Sequence, residues 1–190
     1  TGQRHVVFEL INTGDFVIAE HKGDYFDDIK NHWAKSSINN VASVYSLKSV
    51  TGRNFDPDSF ITIGDAVKFM FDVLDYDYGN DYMTLAEKSG IIISNSSAKA
   101  GAVCSREQLV AMVVRVYEIK TGSMAKASSG VETFNDMNEV STLLRPRVRF
   151  AAENGIITSR FESTFGPKDP VQRGEAMVLL EKLLVYLGEI

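Results

Sequence analysis

The chain has 190 residues, 44% of them hydrophobic, and a formal net charge of −5 at pH 7. That length builds one or two compact domains. No apolar run approaches the roughly 18 residues that would span a membrane, and an acidic balance with no Lys/Arg block argues against nucleic acid as a partner. No secretory leader is visible, and a chain opening at Thr1 rather than Met leaves export open.

Residues 1–22 differ from the rest. Val6, Val7, Phe8, Leu10 and Ile11 lead to Asn12-Thr13-Gly14-Asp15, then Phe16-Val17-Ile18-Ala19. Two β-rich runs around a Gly-containing turn predict a short hairpin. Such a hairpin is marginal alone, so it reads as the tail of a preceding β-domain or as two strands docked on the helical part of the chain.

From residue 23 the period becomes helical. Phe26-Asp27-Asp28 leads into His32-Trp33-Ala34 and Ile38, and Phe55-Asp56-Pro57 precedes Thr62-Ile63-Gly64-Asp65-Ala66. The latter opens a helix with Val67, Phe69, Met70, Val73 and Leu74 on one face. Further on, Ala86-Glu87-Lys88-Ser89-Gly90-Ile91-Ile92 has the form of a helix ended by glycine and an apolar pair. Ser105-Arg106-Glu107-Gln108-Leu109 then opens a helix bearing Val110, Met112, Val113, Val116 and Tyr117. Residues 121–133, with Gly122, Ser123, Ser128, Ser129 and Gly130, read as a flexible linker.

The last third repeats the first. Phe134-Asn135-Asp136 leads into Val140 and Val148-Arg149-Phe150-Ala151, and Ala152-Glu153-Asn154-Gly155-Ile156-Ile157 matches the earlier glycine stop. Phe165-Gly166-Pro167 and Gln172-Arg173-Gly174-Glu175-Ala176 come next, then Met177, Leu179, Leu180, Leu183 and Leu184. Three helix starts thus lead into the same apolar offsets, and a repeated small unit points to a binding array sooner than to one catalytic centre. Thr62 and Ser105 are good N-caps, with Asp65, Gln108 and Glu175 placed to reach back in a capping box. Gln172 is a poor cap. The first copy lacks the glycine stop, having Tyr45-Ser46-Leu47 there, and the second lacks the Phe-x-Pro loop.

The ordered set Phe26-Asp28-His32-Trp33-Ala34-Phe55-Pro57-Ile61-Thr62, repeated in part by Phe134-Asp136-Gly155-Ile156-Ile157-Phe165-Pro167-Arg173-Glu175, resembles the S-layer homology (SLH) family over about residues 26 to 187. The resemblance implies a mainly α module of three helix–loop–helix repeats in pseudo-threefold arrangement: 23–76, 77–120 and 134–190, around the 121–133 linker. It implies a non-catalytic anchor on a secreted, bacterial cell-surface protein, with further domains of the parent chain on its N-terminal side. The implied ligand is a secondary cell-wall polysaccharide, often carrying pyruvylated N-acetylmannosamine, held in grooves between repeats. On this reading the contacts are Arg106, Arg173, Asp28, His32, Trp33, Asp136, Glu107 and Glu175, with the arginines foremost. Ile63 stands at the arginine position of the first repeat. No cofactor and no metal is implied.

The chemistry is reasonable independently. A ketal-linked pyruvate is a carboxylate, which an arginine fork meets with paired donors, and a helix N-terminus offers amides to the same anion. Trp33 could lie on a sugar face, though a lone Trp also suits a core. Asp28 reads as a ligand contact or as the N-cap of the first helix. An Arg beside Glu107 or Glu175 also reads as a local ion pair, and Arg145, Arg147 and Arg149 as a solvated face. Cys104 reads as a small buried residue.

Enzyme readings find no support. His5, His21 and His32 are not at zincin spacing, and no nucleophile elbow or phosphate loop occurs. Asp75 to Asp81 departs from a calcium loop, with Gly79 one position early and Ala86 in place of the bidentate Glu. The alternative from another class is a protein–protein assembly module of a surface lattice.

Overall fold

The computed structural model describes residues 23–93, 99–128 and 134–190. The hairpin predicted for 1–22 lies outside these. Among the described residues the fold is mainly α, with helices α1 (Lys35–Val44), α2 (Ile63–Val73), α3 (Tyr82–Ser89), α4 (Arg106–Thr121), α5 (Arg145–Glu153) and α6 (Arg173–Leu187). In chain order they fall into three units, α1–α2, α3–α4 and α5–α6, and each short helix packs on the long helix of a neighbouring unit.

The apolar faces read from the sequence build the core. Val67, Phe69, Met70, Val110, Val113, Val116, Met177, Leu180, Leu183 and Leu184 are all buried. Helix α4 is central, packing on α2, α5 and α6, while α1 packs on α6 and α3 on α2. The short helices stop where the glycines predict: Gly90 (φ 70°) caps α3 and Gly155 (φ 69°) lies just past α5. Both turns then drop an apolar pair into the core, Ile91-Ile92 and Ile156-Ile157.

Each long helix is started by its own side chains. Thr62 Oγ1 accepts from the Asp65 amide at 3.1 Å, as an N-cap should. At α4 the Ser105 amide donates to Gln108 Oε1 at 2.9 Å, and at α6 the Gln172 amide donates to Glu175 Oε2 at 3.0 Å. Gln172 is therefore not the weak start its side chain suggested, because Glu175 reaches back to its amide.

A closed ring of backbone hydrogen bonds ties the three units together. The Ile61 amide donates to Val171 O (2.9 Å), the Val171 amide to Cys104 O (3.3 Å), and the Cys104 amide to Ile61 O (2.9 Å). All three residues are fully buried. Each lies one position before its N-cap, so the ring marks a pseudo-threefold axis running through the three helix starts. Cys104, inert in this setting, has its thiol pushed up to about 12 by burial.

Candidate functional site

The same cyclic order governs the first two amides of each long helix. Arg173 and Gly174 donate to Ser59 O (2.9 Å) and Pro57 O (2.8 Å) of the first unit; Arg106 and Glu107 donate to Asp169 O and Pro167 O of the third, both at 3.0 Å. Ile63 and Gly64 donate to Ala102 O and Ala100 O of the second, both at 2.8 Å. Every helix start is thus plugged by the loop of a neighbouring unit. The amides that a helix N-terminus would offer an anion are already satisfied by protein, which leaves side chains as the groups these junctions have to offer a ligand.

Two junctions carry an arginine lying on an aromatic ring. The Arg173 guanidinium is 5.0 Å from the ring centroids of both Phe55 and Phe69, and its Nε donates to Phe55 O at 2.8 Å. The Arg106 guanidinium is 5.2 Å from the Phe165 ring, and its Nη2 donates to Thr158 O at 3.1 Å. Each therefore sits over the phenylalanine of a neighbouring Phe-x-Pro loop, a favourable cation–π placement. Burial pulls both guanidiniums down from their ordinary values, with Glu175 and Asp169 opposing this at Arg106, and Asp65, Asp56 and Asp28 at Arg173.

The arginines do not pair locally. Arg106 Nη1 lies 3.8 Å from Glu175 of the third unit, and Arg173 Nη1 lies 3.7 Å from Asp65 of the first. Glu107 turns elsewhere: it is buried and accepts from the Ser141 amide and hydroxyl, each at 2.8 Å, and from the Lys168 ammonium. So Arg106 and Glu175 come together across a junction, while Glu107 fixes the approach to α5.

Asp28 and Asp136 hold the loops under the arginines. Asp28 accepts from the Phe55 amide (2.9 Å) and the Asp56 amide (2.7 Å); Asp136 accepts from the Phe165 amide (2.8 Å) and the Gly166 amide (2.7 Å). Asp28 is not the N-cap of α1, a position held by Ala34. The residue at the bend is left-handed in both loops, Asp56 at φ 54° and Gly166 at φ 70°.

His32 lies at the start of α6, its Nε2 3.2 Å from Asp58 Oδ1 and its Nδ1 accepting from the Ala34 amide at 3.1 Å. Trp33, beside it, is 61% exposed and so is not a core residue. His32 flanks the Gly174 side of the helix start, and the Trp33 ring lies 5.2 Å from the His32 ring. The Arg173 side opens instead on a cleft of about 300 Å³ lined by Ser49, Val50, Asn54, Asp56, Ser59 and Asp65.

The third junction differs in kind. Ile63 replaces the arginine, Gln108 replaces the facing acid, and a cavity of about 300 Å³ is lined by Ile63, Ile91, Met112 and Leu143 together with Glu107, Gln108, Ser141 and Arg147. The missing arginine of the first unit and the missing Phe-x-Pro loop of the second, which the sequence shows as separate defects, meet at this single junction.

The arginine triplet is not a solvated face. Arg147 donates to buried Glu118 (2.9 Å), which also accepts from Arg115 (3.0 Å), and Arg145 donates to Val140 O (2.9 Å). Pro146 falls in the first turn of α5, as expected. In the segment read as a linker, the Ala125 amide donates to Glu118 and the Ser128 amide to Glu153, while residues 129–133 lie outside the described ones. Sequence reasoning missed Asp65, Asp169 and Arg160. Asp65 was readable as the acid three residues after its cap, whereas Arg160 belongs to no repeated motif.

The family profile of the S-layer homology domain matches residues 25–67 and 133–177. In these two segments the chain carries S-layer homology domains. These are the segments by which surface proteins are anchored to the cell wall. The chain is 28% identical over 181 residues to an amylopullulanase of Thermoanaerobacterium thermosulfurigenes, covering 87% of this chain and 10% of that protein. It is 27% identical over 175 residues to an exoglucanase of Acetivibrio thermocellus, covering 84% of this chain and 16% of that protein. The chain thus spans a small fraction of both relatives. No helix among its described residues is long and apolar enough to cross a membrane.

Proposed function

We propose that this SLH module is a non-catalytic anchor that holds a longer surface protein on an anionic secondary cell-wall polysaccharide. Two of its three junctions, those of Arg173 and Arg106, do the binding. The observation that carries this reading is the recurrence of one construction at both: a largely covered guanidinium over a Phe-x-Pro phenylalanine, braced by an aspartate-clamped loop. Each guanidinium spends one nitrogen on a backbone carbonyl and has further donors for a sugar carboxylate such as a pyruvyl ketal. Asp28 and Asp136 then act by positioning the loop, and Trp33 offers an exposed ring beside the Arg173 junction. A longer parent chain, with its activity in other domains, fits the pattern of the two relatives, in which the matched segment is a minor part.

The test is a pull-down on purified cell-wall sacculi, before and after chemical removal of the glycan. Binding should vanish with the glycan. Changing both Arg106 and Arg173 to Ala should abolish it on untreated sacculi while each single change weakens it about ten- to a hundredfold at its junction, as loss of a charge-assisted contact predicts. Equal binding by the double variant rules the anchor mechanism out. A protein–protein assembly module is the second reading. On its side is a ring of exposed apolar residues around the pseudo-threefold axis, Phe60, Val103 and Pro170, of which Phe60 is 56% and Val103 52% exposed. That reading predicts retention on stripped sacculi coated with the protein's own lattice.

A further inference from the structure

The two cationic junctions differ by one side chain. Counting back from the loop phenylalanines, Arg160 stands where the Arg173 junction has Val50. It sits on a tight turn closed by its own amide donating to Thr164 O at 2.9 Å, with Glu162 at the bend held at φ 46°. Its Nη1 donates to Asp169 Oδ2 at 3.1 Å and its Nη2 to Glu175 Oε1 at 2.6 Å. That same Glu175 oxygen is 3.8 Å from Arg106 Nη1. A carboxylate oxygen therefore already lies between two guanidiniums, and Arg106 keeps a buried Nε with no partner.

From this geometry we infer that Arg160 is the specificity-determining residue of the Arg106 junction, making it the tighter of the two sites for an anionic sugar. Two effects act together. Arg160 neutralises Asp169 and Glu175, the carboxylates that would repel an incoming anion, and its side chain is still about one-third exposed, at 34%, to meet the ligand. Around Arg106 two guanidiniums face two carboxylates, those of Asp169 and Glu175. Around Arg173 a single guanidinium faces three, those of Asp28, Asp56 and Asp65, with nothing in the place of Arg160. Phe161, directly after Arg160 and 72% exposed, adds an apolar face on the same turn.

This inference rests on the anchor reading, and the experiment separates the two. The methyl glycoside of 4,6-pyruvylated N-acetylmannosamine is titrated calorimetrically into the whole chain and into Arg106→Ala, Arg173→Ala and Arg160→Val, the last copying the other junction. The parent should show two unequal sites, with Arg173→Ala keeping the tight one and Arg106→Ala the weak one. Arg160→Val should weaken the tight site about tenfold and flatten its salt dependence, leaving the weak site unchanged. Arg160→Lys should recover only part of the loss, since an ammonium lacks the planar fork. Unchanged tight-site affinity in Arg160→Val, with that site still lost in Arg106→Ala, overturns the role of Arg160 and leaves the anchor intact. Full binding by the Arg106→Ala/Arg173→Ala double variant overturns both.

Discussion

The Arg173 and Ile63 junctions share a backbone and little else. In each, two helix-start amides donate to a neighbouring loop at 2.8–2.9 Å, and each helix start contributes to the same ring through Ile61, Cys104 and Val171. At Arg173 the side chains add a guanidinium, a clamped loop and an acid across a polar cleft. At Ile63 the corresponding space is mixed, with isoleucines and leucines beside Glu107, Gln108 and Arg147 and no cation over a Phe-x-Pro ring. The fold is therefore carried by backbone pairing and helix faces, which tolerate either filling, while in the proposed anchor recognition falls to a few side chains at the rim. A junction can lose its ligand chemistry without losing its place in the ring.

The largest test of that division is truncation of the loop phenylalanines. Phe55→Ala and Phe165→Ala each remove a fully buried ring, and each should lower stability by about 3–5 kcal/mol in chemical denaturation. The two losses should be alike. Phe55 also stacks on Phe69 at 5.8 Å, so a much smaller effect there would show that the first loop is not seated as the third is. Next come the clamps. Asp28→Ala and Asp136→Ala each strip an acceptor from two backbone amides and should cost about 1.5–3 kcal/mol. Binding at the corresponding junction should fall too, because the loop under the arginine loosens; unchanged binding in a folded Asp28→Ala protein would separate loop and ligand.

Glu118 gives a pH-dependent comparison within the α4–α5 contact. Burial opposes its ionisation, but hydrogen bonds from Arg115, Arg147 and the Ala125 amide outweigh that and hold its carboxyl below the ordinary range. A depressed folded-state pKa contributes stability that is present above the unfolded value and lost as pH falls through the folded one. Glu118→Gln should therefore melt about 1–2 kcal/mol less stably at pH 7, and the gap should close in acid. Asp72 has the opposite sign, since burial raises its pKa despite Ser49 and Tyr78, so acidification should favour the fold at that site. A gap for Glu118→Gln that persists at low pH would mean its arginine contacts are not made in solution.

The smallest effect concerns the bends. Asp56 is left-handed without being glycine, whereas Gly166 occupies the equivalent bend. Asp56→Gly should be neutral to stabilising by up to about 1 kcal/mol, while Gly166→Ala should destabilise by roughly 1–2 kcal/mol. Thermal melts decide both, and a stabilised Gly166→Ala would show that the third loop bends differently.

Much of this architecture was legible because it depends on local periods. The faces running from Val67, Val110 and Met177 obey the helical repeat, and Gly90 and Gly155 announce their turns. At Gln172, a poor cap by residue type, the start is held by Glu175, the residue the sequence places to reach back. Partner choice at the arginines was not legible. Glu107 and Glu175 adjoin them in sequence, but ring closure places Glu175 against Arg106 and Asp65 against Arg173, a pairing set by contacts between distant residues. The same closure hides from the sequence that Ile63 and the loop lacking Phe-x-Pro are two sides of one junction. Trp33 was ambiguous because a single aromatic carries no period of its own.

The three-membered ring also governs how the molecule comes apart. A linear stack of helical units has two ends, each held on one side only, from which it frays. Here the loop of the first unit plugs the last helix, so no unit is terminal. Unravelling has nowhere to begin, and the whole assembly should yield in one cooperative step or not at all. Removing one unit would not shorten such an object; it would open it, exposing buried backbone on both remaining units at once.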